Sequence, residues 1–153
     1  MNDPCFTPAV FYQDPRAALT WLEQAFGFET TMIIEPTDGD MRMSHYEMSF
    51  GGRGRIMVGA EWTDWAKSPR SVQGANTQCL HVEVDGDIDA HYTRARAAGA
   101  VIVRELEDQF YGDRTYSAID PEGHVWSFAM HVRDVTREEA EQASGLKIEG
   151  WTS

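Results

Sequence analysis

Two His-x-Glu pairs, His45-Tyr46-Glu47 and His81-Val82-Glu83, carry the chemistry most readily read from this chain. An imidazole and a carboxylate two residues apart on a β-strand share one face. Such a pair can shuttle protons in metal-free acid–base catalysis. It can join a second pair in a divalent-metal site, or it can orient an organic ligand by hydrogen bonding. Cys79 has the parity of His81 and Glu83. A nucleophilic thiol needs a depressed pKa, and the sequence offers only Arg114 or His81 as a nearby cation. A small apolar role fits Cys79 better. Ser127 has no assigned His-Asp partners, so a serine nucleophile has no support. Trp62 and Trp65 could stack on a planar or cationic ligand, or cap a hydrophobic edge.

The elements that position these groups follow from patterning. Leu80, Val82 and Val84 alternate with Cys79, His81 and Glu83, and read as the helix-packed side of their strand. The second set therefore faces a cavity. By the same parity Thr7, Ala9 and Phe11 face inward, as do His45 and Glu47. Arg114 and Tyr116 share one face of their strand and join the ligand-binding candidates. His124 reads as a turn residue, and Trp126 and Phe128 as core beneath a helix.

The chain contains one unit twice. Residues 9–28 and 81–100 each read as a short strand, an acidic turn, a helix and a closing glycine, with Gly27 and Gly99 aligned at an offset of 72 residues. Asp14 caps the first helix, with Pro15 at its first position. Ala18, Leu19, Leu22, Ala25 and Phe26 form its apolar stripe. Each helix precedes three strands, which gives two β-α-β-β-β modules at about residues 5–61 and 78–132. The stretch 62–77 connects them; its length, Pro69 and Gly74 read as a linker or a lid. Asp120-Pro-Glu-Gly123 is a turn. A single domain over 1–134 is followed by a tail, 135–153, in which Thr136-Arg-Glu-Glu139 starts a short helix as a capping box.

The chain has 153 residues, enough for one domain with a real core. It holds 13 basic and 25 acidic residues, a net charge of −12. That balance argues against nucleic acid and mildly favours neutral or cationic ligands over polyanions. No apolar run approaches the roughly 18–20 residues of a membrane span. The start MNDPCFTPAV lacks the features of a secretory signal. Two cysteines make no disulfide framework. The expectation is a cytoplasmic protein without a membrane partner.

Paired β-α-β-β-β modules, with YGDRTYSAIDPEGHVWSFA near the C-terminus, resemble the vicinal oxygen chelate superfamily: glyoxalase I, the bleomycin-resistance proteins and the extradiol dioxygenases. The likeness covers about residues 5–132 and is closest to the glyoxalase/bleomycin-resistance group. It implies an α+β fold in which two βαβββ modules pair into a cleft. It also implies metal-ligand positions at Thr7, Met57, Cys79 and Ser127, with Glu61 on the face of Met57. Thioether, thiol and hydroxyl groups are not the imidazoles and carboxylates of a catalytic divalent site. No metal and no cofactor is therefore expected. The resemblance implies a small organic ligand bound in the cleft, possible sequestration or resistance, and a homodimer, since the bleomycin-resistance proteins build their clefts from two chains. The alternative is a lyase, isomerase or dioxygenase that uses a relocated metal at His45, Glu47, His81 and Glu83, or a metal-free His/Glu pair.

Overall fold

The computed structural model describes residues 4–151. The first module runs β1 (Ala9–Tyr12), α1 (Pro15–Phe26), β2 (Glu29–Ile34), β3 (His45–Phe50) and β4 (Gly54–Ala60). The second runs β5 (Leu80–Glu83), α2 (Ile88–Ala97), β6 (Val101–Asp108), β7 (Asp113–Ile119) and β8 (Val125–His131), and α3 (Arg137–Ser144) follows. Each module folds into its own four-stranded sheet, in the orders β1-β4-β3-β2 and β5-β8-β7-β6. The first strand of each pairs parallel with the last, and the other pairs are antiparallel. This is the α+β, twice-βαβββ architecture expected from the sequence.

Local chemistry explains the elements. The Asp14 carboxylate accepts from Ala17 N at the start of α1, and Gly27 ends the helix at φ 78°, a left-handed conformation that favours glycine. Asp87 caps α2 in the same way through Ala90 N. Thr136 and Glu139 close a reciprocal capping box on α3. Strand alternation sorts the sheets: Val10, Tyr12, Tyr46, Met48, Ile56 and Val58 are buried beneath α1.

The modules are joined through their helices. α1 lies on the first sheet, α2 on the second, and the two helices pack together. Phe26, at the end of α1, reaches into the second module, 4.7 Å from Phe128 and 5.7 Å from Trp126 between ring centroids. Arg94 of α2 donates to the carbonyls of Glu23 and Gln24 at the end of α1. Glu23 O also accepts from the capping Gly27 N at 3.2 Å, and a cation suits the negative end of the helix dipole. Trp21 Nε1 donates to Ala98 O at 3.0 Å. One continuous core results, and the sheet faces opposite α1 and α2 are left free of those helices.

The tail folds back on its own chain. Trp151 Nε1 donates to Val135 O at 3.2 Å, and Ile148 and Trp151 are half-buried. Leu146, by contrast, is strongly exposed. No helix among the described residues is long and apolar enough to cross a membrane.

Candidate functional site

On the helix-free face of the first sheet, Phe11, Met57 and Gly59 lie on adjacent strands, with Phe11 directly opposite Gly59. The Phe11 ring lies over Gly59, with a ring carbon 3.5 Å from where a Cβ would stand, an ordinary van der Waals contact. Just past β4 the chain turns and presents Trp62 and Trp65, which are 50% and 70% exposed. Their rings meet edge to face at 5.2 Å, and Trp65 meets Phe11 at 6.0 Å. Beside this aromatic wall is a cavity of about 380 Å³, floored by Ala9, Met57 and Gly59 and flanked by Met43 and His45. All its lining residues belong to the first module or to the loop that follows it.

His45 and Glu47 form the polar corner. His45 Nε2 lies 3.4 Å from Glu47 Oε1. With Nε2–H directed at the carboxylate, Nδ1 is left as an acceptor for a donor on a ligand. Glu47 itself does not line the cavity. Arg42, Met43 and Ser44, in the short 3-10 turn before β3, complete the rim. Arg42 is held by a two-pronged pair to Asp40, at 2.8 Å for each contact. Nothing in the alternation of the sequence marks this turn.

The second His-Glu pair is differently placed. His81 Nδ1 contacts Ser127 Oγ at 3.2 Å. Glu83 is drawn toward Arg53, 3.8 Å away, which also holds Asp85 at 2.8 Å. His81 and Glu83 border a seam between the modules of about 310 Å³, together with Phe6, Pro8, Phe50 and Leu80. They do not meet His45 and Glu47, and among the described residues no three His, Cys, Asp or Glu side chains cluster closely enough to hold a metal ion.

Thr7 lies two residues before β1 and Met57 is on β4, with Met57 N donating to Pro8 O at 2.9 Å. Cys79 immediately precedes β5 and Ser127 is on β8. Desolvation pushes the Cys79 thiol up despite a backbone hydrogen bond from Ser127, so at neutral pH it stays protonated and poorly nucleophilic. Glu61 shares the parity of Met57, but its carboxylate is taken by Ser68 N and Ser71 Oγ.

Two residues expected at the cleft lie elsewhere. Tyr116 is buried beneath α2, stacked on Phe128 and hydrogen-bonded to His91 at 2.6 Å. Burial pushes its phenol well above the ordinary value. Arg114, on the same face, is paired with Asp89 of α2 and Asp108. Residues opposite one another in a ladder share a face, and Ser127 faces Ser117, not Tyr116. It is therefore Ser117 and Thr115 that accompany Ser127.

The connection 62–77 is tied down. Glu122, in the Asp-Pro-Glu-Gly turn of the second module, accepts from Gln13 N at 2.6 Å, Asp14 N at 3.0 Å and Ser68 Oγ at 2.7 Å. Arg70 and Asn76 bond to the same turn. Asp120, beside it, accepts from Tyr12 OH, Trp126 Nε1 and two backbone amides. His124 is a structural turn residue, donating from Nε2 to Phe11 O at 2.7 Å.

Several known proteins share this plan. TioX from Micromonospora sp. ML1 is 33% identical, covers 87% of this chain and all of its own, and superposes with a TM-score of 0.64. TnmS3, an antibiotic-binding protein from Streptomyces sp. CB03234, is 16% identical over 86% of this chain and 98% of its own, with a TM-score of 0.64. An uncharacterised protein of Mycobacterium bovis is 29% identical over 97% of both chains. Residues 6–128 match the family described as Glyoxalase/Bleomycin resistance protein/Dioxygenase superfamily, and the chain belongs to that superfamily.

Proposed function

We propose that this protein binds a planar aromatic small molecule on the helix-free face of its first sheet, without a metal. The observation that carries the reading is the wall formed by Phe11, Trp62 and Trp65 beside an apolar cavity of about 380 Å³. Large aromatics left this exposed, grouped around a concavity, suit ligand stacking more than folding. His45 Nδ1 supplies one directional acceptor. The antibiotic-binding role of TnmS3, on the same fold, supports the class of function, and sequestration of a toxic compound is the corresponding role here.

Thr7, Met57, Cys79 and Ser127 do not fit a catalytic divalent ion, whose sites want imidazole and carboxylate. A homodimer accompanies this reading. The cavity is walled by one module alone, and a second chain is the natural cover for its open side. The tail adds little to the case for a dimer, because of Leu146, Ile148 and Trp151 only Leu146 is strongly exposed.

The test is a fluorescence titration with a panel of planar aromatic compounds. Trp65→Ala should weaken the best binder by about 1–3 kcal/mol, the range for a stacking hot spot. Equal binding by wild type and variant would place the site elsewhere. The His45–Glu47 contact favours one second reading, a metal-free general base acting on a ligand O–H or N–H. Under that reading His45→Gln abolishes turnover of a bound compound and leaves its affinity within about twofold.

A further inference from the structure

A smaller cavity of about 170 Å³ adjoins the aromatic one across the loop, and Ala9, Phe11 and Trp65 line both. Its character differs from that of the molecule as a whole. The chain carries 25 acidic residues against 13 basic ones, yet no Asp or Glu lines either cavity. Lys67 does line the smaller one.

Lys67 is the one Lys or Arg among the described residues whose side chain holds no hydrogen bond and no ion pair. An unpaired ammonium among so many carboxylates, at the mouth of a cavity that excludes them, is an unmatched charge. Gln78 lines the same cavity with its side-chain amide also unbonded. Asn76 and His124 are spent on structure: Asn76 bonds to Gly123 O and Val125 N, and His124 to Phe11 O. The lining side chains left without a hydrogen bond are therefore one cation, Lys67, one amide, Gln78, and the neighbouring Thr77 hydroxyl.

We infer that the two cavities form one elongated site for an aromatic molecule bearing a single anionic group. The ring lies against Trp62, Trp65 and Met57, and the anion lies beyond Trp65, where Lys67 and Gln78 receive it. A carboxylate suits this place. Its two oxygens can take the ammonium and the amide N–H together, and the smaller cavity has room for a compact group. The inference rests on the aromatic-binding reading above and adds the ligand's charge to it. It also reverses the expectation drawn from net charge, because a ligand meets the charges that line its site before it meets the average of the surface.

Calorimetric titration of the full chain with naphthoate, naphthol and naphthylmethylamine at neutral pH tests it, since the three probes share one ring system. The expected order is naphthoate tightest and the amine weakest, with the naphthoate advantage shrinking at high salt. Lys67→Gln should weaken naphthoate about three- to fivefold, the scale of one exposed ion pair, and leave naphthol unchanged. Lys67→Glu should bring the amine above naphthoate. Trp65→Ala should weaken all three alike.

If naphthol binds in a Trp65-dependent way and naphthoate binds no better, the anionic subsite is wrong and the aromatic reading stands. If Lys67→Gln weakens naphthoate while Trp65→Ala does nothing, the anion site stands and the stacking wall is wrong. If none of the probes binds, both are overturned.

Discussion

The two modules share a backbone plan and diverge at every position that faces away from the helices. Strand register supplies the equivalences. Met57 and Ser127 occupy matching places, as do Glu47 and Ser117, His45 and Thr115, Gly59 and Ala129, and Phe11 and Glu83. The first module fills this face with an aromatic ring, a thioether and an imidazole around a cavity. The second carries Thr115, Ser117, Ser127 and Ala129, small groups of which all but Ser127 are buried, with His81 and Glu83 on its first strand turned to the seam. A duplicated scaffold can thus keep one core grammar in both halves and give recognition to one of them.

The helices diverge as well. Counting back from the closing glycines Gly27 and Gly99, His91 stands where α1 has Leu19. Leu19 is ordinary core. His91 bridges the modules, with Nε2–H donating to Phe26 O at 2.8 Å and Nδ1 accepting from Tyr116 OH at 2.6 Å.

The largest effect expected from breaking this asymmetric pair lies at the seam. Asp120→Ala leaves the Tyr12 hydroxyl, the Trp126 N–H and two backbone amides without their acceptor in a buried site. A loss of about 3–5 kcal/mol in chemical denaturation is expected, from several unmet donors at once. A variant as stable as wild type would show that the halves do not depend on this contact.

The next effect separates the two faces. Phe11→Ala should weaken an aromatic ligand about tenfold, the scale of a lost aromatic contact. Glu83→Gln, at the equivalent place in the second module, should leave affinity unchanged. Equal losses would mean that both faces bind.

A smaller effect concerns pH. Burial pushes His91 below its ordinary value, so the folded chain holds the neutral ring while the unfolded chain can take up a proton. Stability from this group is full above the unfolded pKa, about 6.5, and is lost as pH falls below it. His131 works in the opposite sense: Asp134 and Asp113 raise it, so its contribution is present at low pH and is lost as pH rises through the folded value. His91→Gln should flatten the acid side of the thermal-stability profile. If that side keeps its slope, the proton goes elsewhere. The smallest effect is expected from metal. Zn²⁺, Ni²⁺ or Mn²⁺ should move the melting temperature by less than about 1 °C, because a ligand that does not bind the folded state does not stabilise it.

Much of this was legible in the sequence, for local reasons. Alternation in β1, β3 and β5 sorts Phe11, His45 and His81 away from the core, and the caps Asp14 and Asp87 locate the helices. Trp62 and Trp65 announce themselves by type and by their place after β4. The errors arise where position depends on distant partners. Tyr116 and Arg114 show a shared face but not which one, because that depends on Ser117 lying opposite Ser127. The connection 62–77 reads as a lid because Gly and Pro punctuate it, while the Glu122 carboxylate that secures it lies 54 residues beyond Ser68. Lys67 has no local signal, since its interest lies in what fails to surround it.

That carboxylate also bears on how quickly a ligand is captured. The strap behind Trp65 is fastened at Ser68, Arg70 and Asn76 before any molecule arrives. Its conformational entropy is therefore spent during folding and not at the moment of encounter. A receptor built this way has no slow closing step to wait for. Capture in a stopped-flow record should be a single phase whose rate climbs in proportion to ligand concentration, and the lifetime of the complex, set by departure past a fixed indole, should carry the differences between one compound and the next.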